Sequence, residues 1–212
     1  MVKKSYIIKK FSSEEICWDQ VPALNVHNLL WDQHGYAPVS MGQICYTDRG
    51  IHVKLTSYET EVTGRYENMN DPVYTDSCME FFFQINPETD GRYLNFETNC
   101  LGTLLLGFGA ARENRKQLNF DFRTVLGMKS TLTKETIGSY SGPFWSVEYT
   151  IPFSFLEELY GPIHVKSGKK IAANVYKCGD KTKYEHYMSW NYVGNEVPQF
   201  HSPEFFGEMI FE

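Results

Sequence analysis

The sequence lacks a long hydrophobic run. Its longest apolar stretch, residues 104–108, has the length of a strand and is interrupted by Gly107. A membrane-spanning helix needs about 20 apolar residues, so we expect no membrane partner. Positive charge is also scarce: 20 lysines and arginines stand against 26 aspartates and glutamates, and the net charge is −6. Because the overall field repels phosphate, we expect no nucleic-acid partner.

Closely spaced cysteine pairs are missing as well. The five cysteines are an odd number, lie far apart and form no CxxC motif; they are Cys17, Cys45, Cys78, Cys100 and Cys178. This excludes a disulfide framework and a zinc ribbon, so we predict five free thiols. The first residues have the positive start of a signal peptide, but Lys9 and Lys10 interrupt its apolar part. As written, the sequence predicts a cytoplasmic protein, which is secreted or periplasmic if a leader was removed.

Several catalytic templates are also absent. There is no GxSxG elbow, no P-loop, no GxGxxG between a strand and a helix, and no HExxH. His27 and His34 lie seven residues apart, and His186 and His201 lie fifteen apart, so neither pair has the tight spacing of zinc ligands. We therefore assign no catalytic residue and no metal ligand, and we predict that the protein is not an enzyme.

The sequence does contain a regular alternation of apolar and polar residues with a period of two. Aromatic residues make up 16% of it, and apolar and polar residues alternate in most segments, which is typical of β-strands. Helix signals are confined to residues 13–19 and 154–159. These features predict one all-β domain over residues 1–212, an antiparallel β-sandwich. The predicted strands are residues 43–47, 50–58, 77–85, 92–99, 103–108, 144–151, 171–176, 186–190 and 208–211.

The two strands around the turn at residues 86–91 are the most informative. We expect them to be antiparallel neighbours whose buried side chains are Met79, Phe81, Phe83, Leu94 and Phe96. Their other face carries carboxylates, amides and aromatic rings, which are Glu80, Gln84, Tyr93, Asn95, Glu97 and Asn99. This mixture suits a sugar, because polar groups bond to hydroxyls and rings stack on the C–H face. A solvent-exposed outer sheet is the alternative interpretation.

Two further functions stay open at this point. A glycoside-processing enzyme, or its accessory domain, needs two carboxyls about 5–5.5 Å apart for retention or roughly 6.5–9.5 Å apart for inversion. Glu97 could approach Glu80 across neighbouring strands, so their separation decides this alternative. A haem or redox sandwich is the second alternative, because Met188 and His186 share a strand face. Trp190, at the end of the same strand, is either a core residue or a surface residue.

Five runs together resemble the family 9-like carbohydrate-binding proteins, relatives of the family 9 carbohydrate-binding modules attached to xylanases. They are residues 76–82, 93–99, 174–180, 186–190 and 200–207, and the similarity extends from residue 31 to residue 211. The resemblance implies a β-sandwich of the dopamine-monooxygenase N-terminal-like jelly-roll type. It also implies non-catalytic binding of a mono- or oligosaccharide in glycan utilisation.

In the xylanase modules one sugar unit lies between two aromatic rings. The resemblance places Tyr74 and Trp190 as those rings and Glu80 as the acceptor of hydroxyl hydrogen bonds. Further candidates for the surrounding polar contacts are Asn95, Asn174 and Lys177. The resemblance also implies a structural calcium ion, although the sequence has no loop of the Asp-x-Asp type.

Overall fold

The computed structural model describes residues 3–32, 34–59 and 61–212, and β-strands dominate this part of the chain. In chain order they are β1 (Ser5–Lys10), β2 (Ala23–Val26), β3 (Asn28–Leu30), β4 (Ser40–Tyr46), β5 (Gly50–Ser57), β6 (Cys78–Gln84), β7 (Tyr93–Asn99), β8 (Leu104–Gly109), β9 (Lys116–Gln117), β10 (Lys129–Ser130), β11 (Trp145–Pro152), β12 (Lys170–Cys178), β13 (Tyr187–Ser189) and β14 (Gly207–Phe211). Every predicted strand is present. The strands β1, β2, β3, β9 and β10 were not predicted.

The strands form two sheets that share β1. The first sheet runs in the order β14-β12-β6-β7-β8-β9, with β13 beside β12 and β3 beside β13. The second sheet runs in the order β10-β11-β5-β4-β2. Pairings within the sheets are antiparallel, whereas β1 pairs in parallel with β14 and, through Lys9 and Lys10, with β4. The predicted antiparallel β-sandwich is confirmed, with β1 as the parallel strand that joins its sheets.

The main core lies between the two sheets, where alternate side chains of each strand point inward. The five positions predicted to be buried on β6 and β7 are all fully buried: Met79, Phe81, Phe83, Leu94 and Phe96. As predicted, β6 and β7 are antiparallel neighbours, and Phe81 pairs with Phe96. Phe96 stacks on Tyr149 of β11, with ring centroids 5.6 Å apart. This contact joins the two sheets through aromatic packing.

The outer face of the first sheet is also buried, because loops cover it. A second group of buried side chains, the outer cluster, lies there and consists of Leu30, Val73, Cys78, Phe82, Tyr93, Leu105, Tyr176, Cys178, Tyr187, Val193, Phe200 and Phe206. Phe200, from a loop, stacks on Tyr176 with ring centroids 4.1 Å apart. The alternative of a solvent-exposed outer sheet is therefore wrong. The polar residues of this face lie beneath a layer of loops.

The described residues form three short α-helices, α1 (Phe122–Leu126), α2 (Lys134–Ile137) and α3 (Phe153–Tyr160). Helix α3 confirms the helix predicted at residues 154–159, whereas the one predicted at residues 13–19 is wrong. There the Ser13 hydroxyl accepts a hydrogen bond from the Glu15 backbone in a local turn, and only the short 3₁₀ turn Trp18–Gln20 forms. No helix in this part of the chain has the length and apolar character needed to cross a membrane.

Candidate functional site

A pocket of about 100 Å³ lies between the outer face of the first sheet and the loops that cover it. Its aromatic side chains are Trp31, Tyr74, Tyr187 and Phe200. Its ionisable side chains are the acidic Glu80, Glu97 and Asp180, the basic Arg112, Arg115 and His201, and Cys178. The pocket thus combines apolar rings with groups that form hydrogen bonds.

Two carboxyls face each other on the pocket floor. Glu80 of β6 pairs directly with Glu97 of β7 in the antiparallel register, which places their Cβ atoms about 4.5–5.5 Å apart. Glu80 is 2% exposed, and its Oε1 accepts a hydrogen bond from Cys178 Sγ at 3.1 Å. Glu80 Oε2 is buried and has no partner within the described residues. This oxygen is therefore available to a group that enters the pocket.

Burial changes the protonation of the acidic side chains. It raises the pKa of Glu80 well above its usual value, and the charge of Glu97 raises it further. Burial also raises the pKa of Glu97 to about 7, although the nearby Arg115 opposes the shift. The pKa of Asp180 rises to about 6 for the same reason. Near neutral pH these three side chains therefore carry less negative charge than three fully ionised carboxylates would carry.

A neutral histidine connects the basic side chains to the floor. Burial, followed by the charges of Arg115 and Arg112, lowers the pKa of His201 to about 3. His201 Nε2 lies 2.6 Å from Arg115 Nη1, and Nδ1 lies 2.9 Å from Tyr93 Oη. Because a neutral imidazole has one acceptor nitrogen, these contacts assign Nε2 as the acceptor from Arg115 and Nδ1 as the donor to Tyr93. Arg115 also lies 3.6 Å from Glu97 Oε1.

Glutamine in place of Glu97 tests the protonation of the floor. Burial raises the pKa of Glu97 from 4.5 to about 7, so the folded protein holds this proton more tightly than the unfolded chain. Its contribution to stability is complete below pH 4.5 and is lost as the pH rises through about 7. Glutamine has no such proton to lose. We expect Glu97→Gln to gain stability relative to the wild type across that window, measured as the free energy of unfolding in urea.

The matched control for this comparison is Glu88→Gln, at an exposed carboxyl in the turn between β6 and β7. This variant removes a carboxyl outside the pocket, so it measures the effect of the same substitution away from the floor. A difference between Glu97→Gln and the wild type that stays constant with pH would contradict the prediction, because it would mean that Glu97 ionises alike in the folded and unfolded chain.

A model of a known protein family matches most of the chain. A family model described as Carbohydrate-binding family 9 matches residues 11–211. The chain belongs to this family. A candidate carbohydrate-binding protein from Bacteroides uniformis is 30% identical to it, with a TM-score of 0.84, over 99% of this chain and 100% of that chain. Comparison with curated proteins gives no match. The family predicted from the sequence is therefore confirmed, and with it non-catalytic carbohydrate binding.

Two solved structures of family 9 modules share the fold at lower identity. Both come from Caldicellulosiruptor kristjanssonii, one in complex with cellotriose and one in complex with glucose. The cellotriose complex is 12% identical, with a TM-score of 0.63, over 99% of this chain and 94% of that chain. The glucose complex is 13% identical, with a TM-score of 0.63, over 99% of this chain and 96% of that chain. These similarities confirm the family 9 sandwich.

In this family 9 chain, two of the six predicted binding residues line the pocket: Tyr74, which is 37% exposed, and Glu80 on the floor. Trp190, predicted as the second ring, does not line it, and that assignment is corrected. Trp190 is 4% exposed and packs in the core between the sheets. A Cβ atom at Gly207 would lie only 2.6 Å from Trp190 Cζ3. A ring enclosed in this core does not reach a ligand in the pocket.

The other three predicted contacts also lie outside the pocket, and these assignments are corrected too. The side chain of Asn174 is fully buried and exchanges hydrogen bonds with the backbone of Asn191, each 2.8 Å long. Lys177 is fully buried, and its Nζ lies 3.2 Å from Glu59 Oε1. Asn95 donates a hydrogen bond to Glu97 Oε1 at 2.8 Å. Asn95 therefore positions a pocket carboxyl, whereas the other two stabilise the fold.

Three rings of the pocket were not predicted. Trp31, whose φ is 47°, follows β3, and its Nε1 donates a hydrogen bond to the carbonyl oxygen of Asn195 at 2.7 Å. The Trp31 ring contacts Tyr187 and Phe200, with ring centroids 5.7 Å away in both cases. Alternation on β13 carries a signal for Tyr187: since Met188 faces the core, its neighbour faces the pocket side. The sequence has no comparable signal for Trp31, because a loop positions it.

The haem alternative is not supported in this family 9 chain. Both ring nitrogens of His186 already have partners: Nδ1 lies 2.7 Å from the Tyr184 carbonyl oxygen, and Nε2 lies 2.8 Å from Lys177 Nζ. Met188 packs in the core between the sheets. Neither side chain is therefore placed to bind iron in a shared cavity.

The calcium ion implied by the resemblance needs oxygen ligands. Within residues 3–32, 34–59 and 61–212, one group of three potential metal-binding side chains lies close together, and it consists of Cys78, Glu80 and Cys178. Ca²⁺ prefers six to eight oxygen ligands. Two thiols and one carboxyl do not fit calcium, so we derive no role for that ion from this group.

Proposed function

We propose that the pocket binds one unit of a mono- or oligosaccharide and that the protein serves glycan utilisation without catalysing a reaction. The observation that carries this proposal is Glu80 Oε2, a buried oxygen with no partner among the described residues, on the floor of a pocket with aromatic walls. A sugar offers hydroxyls to that oxygen and an apolar C–H face to the rings. Related modules in complex with glucose and cellotriose support the same ligand class.

The size and walls of the pocket favour a single sugar ring. Its volume of about 100 Å³ is small, since pockets for drug-sized ligands enclose roughly 300–1,000 Å³. Tyr74 is 37% exposed and lines the pocket, so its ring is accessible to a sugar. Trp31, held by its hydrogen bond to the Asn195 backbone, takes the place of Trp190 as the second ring. The rest of an oligosaccharide would extend into solvent.

The facing carboxyls serve binding rather than catalysis in this proposal. A retaining glycosidase needs one ionised carboxylate as the nucleophile and one protonated acid. Here burial raises the pKa of both Glu80 and Glu97. Glu97 Oε1 is also engaged by Asn95 at 2.8 Å and lies 3.6 Å from Arg115. A carboxyl held in this way is poorly placed to attack a sugar, so an accessory role beside an enzyme fits better than hydrolysis.

Calorimetric titration with glucose, cellotriose and a panel of other saccharides tests the proposal. We expect Tyr74→Ala to weaken binding by about 1–3 kcal/mol, roughly 5- to 150-fold, because it removes a stacking ring. Glu80→Gln keeps the shape of the side chain but replaces an acceptor oxygen by an amide, so we expect a loss of roughly fivefold or more. Melting temperatures should show that both variants fold.

The matched control is Tyr192→Ala, because Tyr192 is 42% exposed and does not line the pocket. It should bind saccharides like the wild type. Equal losses for Tyr74→Ala and Tyr192→Ala would show that the pocket is not the site, and a wild type that binds no saccharide would refute the function itself. Recovery of shortened saccharides after titration would favour the enzyme instead.

A further inference from the structure

Two thiols and one carboxyl converge beneath the pocket. Cys78 and Glu80 project from the same face of β6, and Cys178 lies opposite Cys78 on β12. One ligand atom from each of the three side chains lies within 4.8 Å of the others, and Cys178 Sγ is 3.1 Å from Glu80 Oε1. Ligand atoms bound to a single zinc ion at about 2.0–2.3 Å are themselves roughly 3.3–3.8 Å apart. Small side-chain shifts would therefore bring all three into coordination distance.

We propose that Cys78, Cys178 and Glu80 form a binding site for a thiophilic divalent cation of the zinc class. Thiolate and carboxylate together are a donor set that suits zinc, and two of the three donors are sulfur. Glu80 is 2% exposed, and its Oε2, the oxygen that the proposed sugar would also use, lacks a partner within the part of the chain that the structure describes. A buried oxygen without a partner is costly, and a cation would satisfy it.

The binding reaction balances without any transfer of electrons. The cation forms two metal–sulfur bonds and one metal–oxygen bond, and each thiol, together with the Glu80 carboxyl where it is protonated, releases its proton to solvent. Because Cys178 and Glu80 line the pocket whereas Cys78 does not, a fourth position would face the pocket and take water. Because each thiol must lose its proton before it binds the cation, affinity should rise with pH. The charged groups whose fields reach this cluster are Glu97, Asp180, Arg115 and Lys177.

Titration of Zn²⁺ into the full chain, stripped with EDTA and reduced with a phosphine, tests the site. We expect one zinc ion per chain. Cys78→Ala and Cys178→Ala should each weaken binding on the order of 100-fold or more, since even partners outside the coordination sphere cost 10- to 100-fold. The matched control is Cys45→Ala, because Cys45 is equally buried but lies on β4 of the second sheet. It should bind zinc like the wild type.

Substitution by Co²⁺ gives a second readout that needs no variant. Thiolate-to-cobalt charge transfer should appear in the near-ultraviolet spectrum of the wild type, and its absence would overturn the proposal even if the alanine variants failed to fold. Equal zinc affinity in the wild type and Cys178→Ala would overturn it as well.

The zinc site and the sugar site can fail separately. Cys78 does not line the pocket, so Cys78→Ala should lose zinc and still bind saccharides in EDTA. Loss of saccharide binding in wild type would refute the proposed function and leave the zinc titration unaffected. Loss of zinc binding alone would refute only the metal site.

Discussion

Alanine in place of Trp190 should lower the free energy of unfolding by about 3–5 kcal/mol, the usual cost of removing a large buried ring. Trp190 is 4% exposed in the core between the sheets, where it fills the space beside Gly207. Denaturation in urea, followed by circular dichroism, measures the loss.

Trp18→Ala is the matched control for this substitution. Trp18 is partly exposed in a short 3₁₀ turn, and we expect its loss to cost clearly less than that of Trp190. Trp190 is either a core residue or a ring of the pocket. The saccharide affinity of Trp190→Ala protein that remains folded distinguishes these two interpretations. If Trp190→Ala kept its stability and lost saccharide binding, Trp190 would be a pocket ring, and the placement of the site described above would be wrong.

Methionine in place of Lys177 should cost about 3–5 kcal/mol, because it leaves a buried carboxylate without its partner. Lys177 and Glu59 are 0% and 1% exposed, and Lys177 Nζ lies 3.2 Å from Glu59 Oε1. Glu59 Oε2 also accepts a hydrogen bond from Trp145 Nε1 at 2.6 Å. Removal of the lysine charge therefore disturbs an ionic group that is held within the core. The free energy of unfolding in urea is again the measurement.

An exposed ion pair provides the control. Lys170 Nζ lies 2.9 Å from Glu208 Oε2, with side chains 56% and 39% exposed, so Lys170→Met should cost no more than about 1 kcal/mol. The double variant Lys177→Met with Glu59→Gln should recover part of the loss, since it removes the unpaired charge. Equal costs for Lys177→Met and Lys170→Met would contradict the role of the buried pair.

Alternation in the sequence was sufficient to predict the main strands and the pocket floor. In β6 it separates Met79, Phe81 and Phe83 from Glu80, and both faces of that strand are where the pattern placed them. Lys177 shows the limit of this reasoning. It occupies an inward position on β12, and a charged residue there is tolerated because Glu59, far away in the sequence, neutralises it. No local pattern carries that information.

The walls of the pocket were less predictable than its floor. Trp31 and Phe200 come from loops that are far apart in the sequence, and only the tertiary fold brings their rings together. Alternation continued past β13 places Trp190 on the core face with Met188, and Trp190 was misplaced because the family resemblance was followed instead. The similarity to xylanase modules suggested a late tryptophan as a ring, whereas here the packing beside Gly207 encloses that side chain.

The strand shared by the two sheets has a consequence for how the chain folds. Ser5 pairs with Glu208, and Lys10 pairs with Tyr46, so a single segment depends on partners from both ends of the chain. Loop closure over such a distance is entropically expensive and slows folding. During synthesis β1 emerges before the other strands of the two sheets, yet its partner β14 is complete only when Phe211 has been added. Until then residues 5–8 of β1 lack a partner strand in the nascent chain, and such an edge invites aggregation and chaperone binding.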